Sequence, residues 1–302
     1  MAVKARSVKN FAAVLALLGL AAGCSTAVTS SVSPASETAP GKGGSSAAHG
    51  HGAGLAPSAP PGPVSVAIST FRAADGSVIT LAEFHGPVQY VLHDGSLDPK
   101  VPGRLKEGPK VTGPERARLL AAFNGGFQKK SHAGGYEQEG HVAWPLQWGL
   151  ASLVINAQGH ARIGVWGQTV PARGERLYDV RQNLWLLVNG GQPTAQSGHW
   201  WRWGGTIGNR EYVARSALGQ DAGGNLIYAA SMSTTPADLA QALAKAGARV
   251  AMELDINPEW VQMDAATTPG GPLKAEIPRQ NRPANQYLTG WTRDFIAVLA
   301  PS

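Results

Sequence analysis

Three short stretches of this chain carry residue types that can do chemistry. The first is Glu253-Leu254-Asp255-Ile256-Asn257. If this stretch is extended, Glu253, Asp255 and Asn257 point to one face, with the two carboxylates ~7 Å apart along it. Like charges at that spacing repel, so one of them titrates high, and a pair of acids with separated pKa values suits general acid–base or nucleophilic work. A half-buried strand with a solvated acidic face has the same spacing, and the residues alone do not choose between the two. The second stretch centres on Arg215, between Ala214 and Ser216. A guanidinium there either grips an anion with both arms of its fork or runs its stem along an apolar edge. The third is Phe123-Asn124-Gly125-Gly126-Phe127, a tight turn in which the backbone can approach a ligand closely, or an ordinary turn.

The elements that must position these residues follow from period and punctuation. Thr235 is placed to cap a helix over 236–246, with Pro236 at its first position and Asp238 where a capping-box acid sits. Leu239 and Leu243 share its inner face, and Gly247 is placed to end it. From Val250 the period changes to two, which predicts a strand that runs to Ile256 and stops at Pro258. Strands are expected over 64–69, 77–84, 88–93, 151–155, 161–165, 184–188 and 294–299, with a hairpin over 213–218 and 226–231. A helix is expected over 114–122. The polar, Gly-rich stretch 129–147, holding His132, Tyr136, Glu137, Glu139 and His141, reads as a long loop covering a site; its histidine spacing matches no standard metal set. A second loop is expected over 267–285. The sum is an α+β fold: one domain, residues 64–302, of mixed or antiparallel β-sheets with a few flanking helices.

A signal peptide and a disordered tether precede that domain. Residues 1–23 join a basic start (Lys4, Arg6, Lys9) to an apolar run too short to span a bilayer comfortably, closing on Leu20-Ala21-Ala22-Gly23-Cys24. Small residues before the chain's single cysteine predict a lipoprotein whose Cys24 carries the lipid, so the domain is expected outside the cytoplasm, anchored to a bacterial membrane. Simple cleavage and secretion, or an uncleaved helix, is the other reading. Residues 24–63 are mostly Ser, Ala, Gly and Pro, too poor in large apolar groups to fold. Lys4, Arg6 and Lys9 account for three of the six net positive charges. With no basic cluster interleaved with aromatics in the rest, nucleic acid is not an expected partner. Most of the nine tryptophans fall between Trp144 and Trp203, a density that suits a sugar-binding cleft as well as a plain core.

Four segments in order resemble the phosphodiester glycosidase family: Phe123-Asn124-Gly125-Gly126-Phe127; the Gly149-Leu150 step before a strand; Arg215-Ser216-Ala217-Leu218-Gly219 with the following Gly224; and the helix 236–246 leading through Gly247-Ala248 to Leu254-Asp255. The resemblance spans roughly 85–300. It implies hydrolysis of a glycosyl phosphodiester at the anomeric carbon, with Asp255 as nucleophile or base, Glu253 as second acid and Arg215 on the phosphate. Asn124, Gly125, Gly126 and Asn257 would bind substrate, and no metal or cofactor is implied. A carbohydrate or glycosyl phosphate in cell-envelope glycans is the expected partner. One departure stands out. The family continues after the aspartate with glycines and a serine, whereas this chain has Ile256-Asn257-Pro258-Glu259-Trp260. Pro258 has no amide hydrogen to offer a phosphate. The departure favours the alternative, a non-catalytic carbohydrate-binding or envelope-structural lipoprotein on the same fold.

Overall fold

The computed structural model describes residues 62–98, 101–103, 105–206 and 208–302. The expected signal peptide, Cys24 and all but the last two residues of the expected tether lie outside them. In chain order the strands are β1 (Ser65–Arg72), β2 (Val78–His85), β3 (Gln89–His93), β4 (Leu119–Asn124), β5 (Tyr136–Gln138), β6 (His141–Trp144), β7 (Ala151–Ile155), β8 (Ala161–Val165), β9 (Asp179–Gln182), β10 (Leu186–Asn189), β11 (Gln192–Pro193), β12 (Val213–Gln220), β13 (Leu226–Thr234), β14 (Val250–Glu253), β15 (Met263–Ala265), β16 (Lys274–Ala275) and β17 (Phe295–Leu299). Two α-helices join them, α1 (Gly113–Arg118) before β4 and α2 (Pro236–Lys245) before β14.

The strands form three sheets, antiparallel throughout. The first has seven strands in the order β1-β2-β13-β12-β14-β10-β11; the second is β16-β15-β4-β17-β3; the third is β6-β5-β9-β7-β8. Period two divides the first sheet's side chains. Ala217, Ile227 and Ala229 pack under Leu239 and Leu243 of α2. Leu218, Tyr228 and Met252, one residue out of step, meet Phe123 and Val298 of the second sheet and Leu153 of the third. The large sheet is thus covered by a helix on one face and by the other two sheets on the opposite face.

Local chemistry explains the helix. Thr235 Oγ1 accepts from the Asp238 amide at 3.1 Å and donates to the Asp238 carboxylate at 2.6 Å, a reciprocal cap. Gly247 follows at φ +95°.

Two expectations need correction. The helix expected over 114–122 ends at Arg118, and Leu119–Asn124 is a strand, buried at all six positions and paired on both edges, with β15 and β17. A strand buried on both faces shows no alternation, so its apolar run imitates a helix face. The expected loop 129–147 is mostly ordered: a single 3-10 turn, then the β5–β6 hairpin, with Tyr136, Gln138 and Trp144 buried inside the third sheet.

Candidate active site

The backbone delivers Asp255 just beyond β14, which ends at Glu253 rather than at Ile256. Ser216 of β12 pins the overshoot. Its amide donates to the Asp255 carbonyl at 2.9 Å, and its hydroxyl accepts from the Asp255 amide at 3.1 Å. The side chain then closes a small turn: Asp255 Oδ1 accepts from the amides of Ile256 (2.7 Å) and Asn257 (3.0 Å). The two amides nearest the departure from the family pattern are therefore spent on the aspartate itself. Asp255 Oδ2 accepts from Arg293 Nη1 at 2.5 Å. Burial raises the pKa of Asp255, while Arg293 and the two amides pull it down.

Arg293 organises the surroundings. Its Nε donates to Asp98 Oδ1 at 3.2 Å and its Nη2 to the Gly126 carbonyl at 2.9 Å. The next residue, Asp294, accepts from Arg181 Nε at 2.7 Å, and Arg181 lies over the rings of Tyr136 and Trp144, 5.4 and 5.0 Å from their centroids. Three buried carboxylates, Asp98, Asp255 and Asp294, thus share two guanidiniums, Arg181 and Arg293. The excess negative charge raises proton affinity: burial and the neighbouring Asp294 push Asp98 up to about 6, while against burial the two guanidiniums hold Asp294 low. The reading of the residues alone missed Arg293, Arg181, Asp98 and Asp294. Two charges directly ahead of an all-apolar strand, Arg293-Asp294 before β17, were the available signal.

The glycine turn serves the same network. The Gly125 amide donates to the Asp294 carbonyl at 2.8 Å and the Gly126 amide to Asp294 Oδ2 at 3.2 Å. Asn124 uses its amide nitrogen on Ser216 Oγ and the Gly125 carbonyl, while its oxygen accepts from Tyr228 Oη and the Gln262 amide. The Asn124 amide group fastens β4 to β12 and β13. Behind it, Arg215 and Glu253 form a sealed ion pair at 2.7 Å with both side chains fully buried, and Arg215 also donates to the Trp203 carbonyl at 3.0 Å. Burial pushes Glu253 up to about 7 against the pull of Arg215.

Two hollows open on this arrangement. Asn124, Gly125, Gly126, Asp255, Arg293 and Trp260 line a narrow one. Asp255, Arg293, Asn257, Lys130, Ser131 and Gly204 line a wider one of about 290 Å³. The structure therefore brings Asn124, Gly125, Gly126, Asp255 and Asn257 to connected walls. Arg215 and Glu253 sit one layer deeper and line neither hollow.

Residues 117–255 match the model of the phosphodiester glycosidase family. Among solved structures, the chain is similar to the catalytic domain of zebrafish N-acetylglucosamine-1-phosphodiester alpha-N-acetylglucosaminidase, auto-inhibited by its pro-peptide. The identity is 15%, with a TM-score of 0.48 over 80% of this chain and 83% of that one. It is also similar to a hypothetical protein from Synechocystis at 14% identity, with a TM-score of 0.46 over 81% of this chain and 64% of that one. No curated protein sequence matches the chain. A phosphodiester glycosidase pattern is thus recognisable in residues 117–255, 139 of the chain's 302.

Proposed function

We propose that this hydrolase cleaves a glycosyl phosphodiester at the anomeric carbon, with cell-envelope glycans as its substrate. The observation that carries the reading is the meeting of Asp255 and Arg293 on the wall of one hollow, a carboxylate and a guanidinium joined at 2.5 Å. Water adds to the anomeric carbon as the carbon–oxygen bond to phosphate breaks. The bonding pair leaves with the phosphate, and the water proton passes to a carboxylate. Asp255 as base takes that proton and stabilises the positive charge that develops on the sugar; as nucleophile it would instead bond to the anomeric carbon as the phosphate leaves, and water would open that ester in a second step. Arg293 faces the phosphate, which as a good leaving group needs its charge held more than it needs protonation. Glu253, the second acid that the resemblance implies, is sealed against Arg215 one layer beneath the hollows and acts by holding the floor of the site rather than by touching substrate. Asn257 and the Asn124-Gly125-Gly126 turn shape the walls that meet the sugar.

The test is release of free N-acetylglucosamine from its p-nitrophenyl phosphodiester. Asp255→Asn is expected to lower the rate by about a hundredfold or more. Equal, background-level release by both proteins would support the second reading, a carbohydrate-binding lipoprotein. That reading has its own observation: the Ile256 and Asn257 amides close on Asp255 instead of facing a ligand.

For location, we propose that lipidated Cys24 anchors the domain outside the cytoplasm. Support comes from the apolar start, the small residues before Cys24 and the absence of any other cysteine. Cys24→Ser should free the protein from membranes; a variant that still needs detergent for extraction would refute the lipid.

A further inference from the structure

The hollow at Asp255 does not end there. It shares Gly205, Ile256 and Asn257 with a second hollow of about 460 Å³, and that one shares Met232 with a third of about 270 Å³. Through these shared residues the three adjoin, a tract of neighbouring hollows. The first alone is near the lower end of the roughly 300–1,000 Å³ that a small ligand occupies, so a single glycosyl phosphate leaves most of the tract unused.

The lining of the tract is not neutral. Each hollow carries one exposed basic side chain: Lys130 in the first, Arg210 in the second and Arg279 in the third. None of the three takes part in an ion pair among the described residues. Arg279 stands in the left-handed region at φ +64°, a conformation that costs a non-glycine residue energy. Among the lining residues only Asp255 is acidic, and Arg293 neutralises it. Among the acids that adjoin lining residues in the chain are Asp75, an anion held by the amide and hydroxyl of Ser77; Glu211, beside Arg210; Glu259, paired with Arg282; and Glu276. Tyr212, 46% exposed, Met232 and Pro258 line the second hollow together with Arg210. Cations together with apolar surface match a ligand that carries both phosphates and sugar rings.

We infer that the tract binds an extended polyanion, a chain of sugars joined through phosphodiesters, whose successive phosphates meet Lys130, Arg210 and Arg279 while one glycosyl phosphate lies at Asp255. This rests on the hydrolase reading above and adds to it the form of the substrate, a polymer rather than a single capped sugar.

The experiment measures binding apart from turnover. Wild-type protein is titrated with non-hydrolysable C-glycosyl phosphonate oligomers of N-acetylglucosamine, one of a single repeat and one of several. The longer oligomer is expected to bind about tenfold tighter, an advantage that shrinks with added salt because exposed charges are screened. Arg210→Gln/Arg279→Gln should remove about fivefold of it, at the roughly twofold to fivefold that an exposed charge pair contributes. Both residues are exposed, so an unchanged melting temperature verifies the fold. Equal binding of long and short oligomers, or a length advantage indifferent to the double variant, overturns the inference. So does a neutral glucan of the same length binding as tightly. A retained length advantage with no cleavage of any diester by the wild type would sink the hydrolase reading and leave the polyanion tract standing.

Discussion

At the scale of single residues, Arg215 gains its meaning from Glu253. Both are fully buried and bonded at 2.7 Å, while Arg215 Nε and Nη2 and Glu253 Oε2 have no partner among the described residues. Breaking such a pair strands a charge in a low-dielectric interior, at about 3–5 kcal/mol; replacing both members by apolar groups of similar volume is often neutral. Arg215→Met is therefore expected to lower the unfolding free energy by about 3–5 kcal/mol, and Arg215→Met/Glu253→Leu to recover most of that loss. Urea unfolding of the two singles and the double measures the coupling. Strictly additive costs would mean that the pair is not a unit. Turnover of the double variant then carries separate information: if the variant is stable and silent, one of these two groups enters the reaction although it lies beneath the hollow.

At the scale of elements, what was legible in the sequence was whatever is written locally. The helix 236–246 announces itself through Thr235, Pro236 and Asp238, and the β12–β13 hairpin through alternation on either side of Gly223-Gly224. Leu119–Asn124 misled because burial on both faces erases the period. The β5–β6 hairpin misled because glycines and charges surround its few inward residues. The centre of the site was least legible. Arg293 binds Asp98 from 195 residues away and Arg181 binds Asp294 from 113, and no local pattern encodes a pairing at that separation. The Asn-Gly-Gly turn shows both sides. Its need for a close approach was readable, but what approaches is Asp294: a Cβ on Gly125 would lie 2.0 Å from Asp294 Oδ2. Gly125→Ala must displace that carboxylate from Arg181, and we expect a loss of about 3 kcal/mol or more. Gly198→Ala, where a Cβ meets nothing within 4 Å, should change stability by roughly 1 kcal/mol or less. Equal effects of the two substitutions on the denaturation midpoint would refute the packing argument.

At the scale of the whole molecule, each of the three sheets holds a buried carboxyl that is reluctant to ionise. Burial pushes Glu253 in the first, Asp264 in the second and Asp179 in the third up to about 7. Asp98 beside the site follows to about 6. In the unfolded chain these groups titrate near 4. Between those values the folded state holds protons that the unfolded state has released, so stability falls as pH rises through the interval. Their contribution is fully present below about 4 and lost by about 7. Asp294 works in the opposite direction. Its lowered pKa gives stability that is present above about 4 and lost as pH falls through its folded value. With Asp255, which burial also raises, five raised buried carboxyls against one lowered, Asp294, set the net sign across the interval. The melting temperature should therefore decline by roughly 5 °C or more from about pH 4.5 to about pH 8. Glu253→Gln keeps an acceptor for Arg215 and removes one of the titrations, so its profile should be flatter than that of the wild type. A wild-type melting temperature that climbs over the interval would mean that the guanidiniums of Arg181, Arg215 and Arg293 outweigh burial, and that these acids stay ionised in the folded protein.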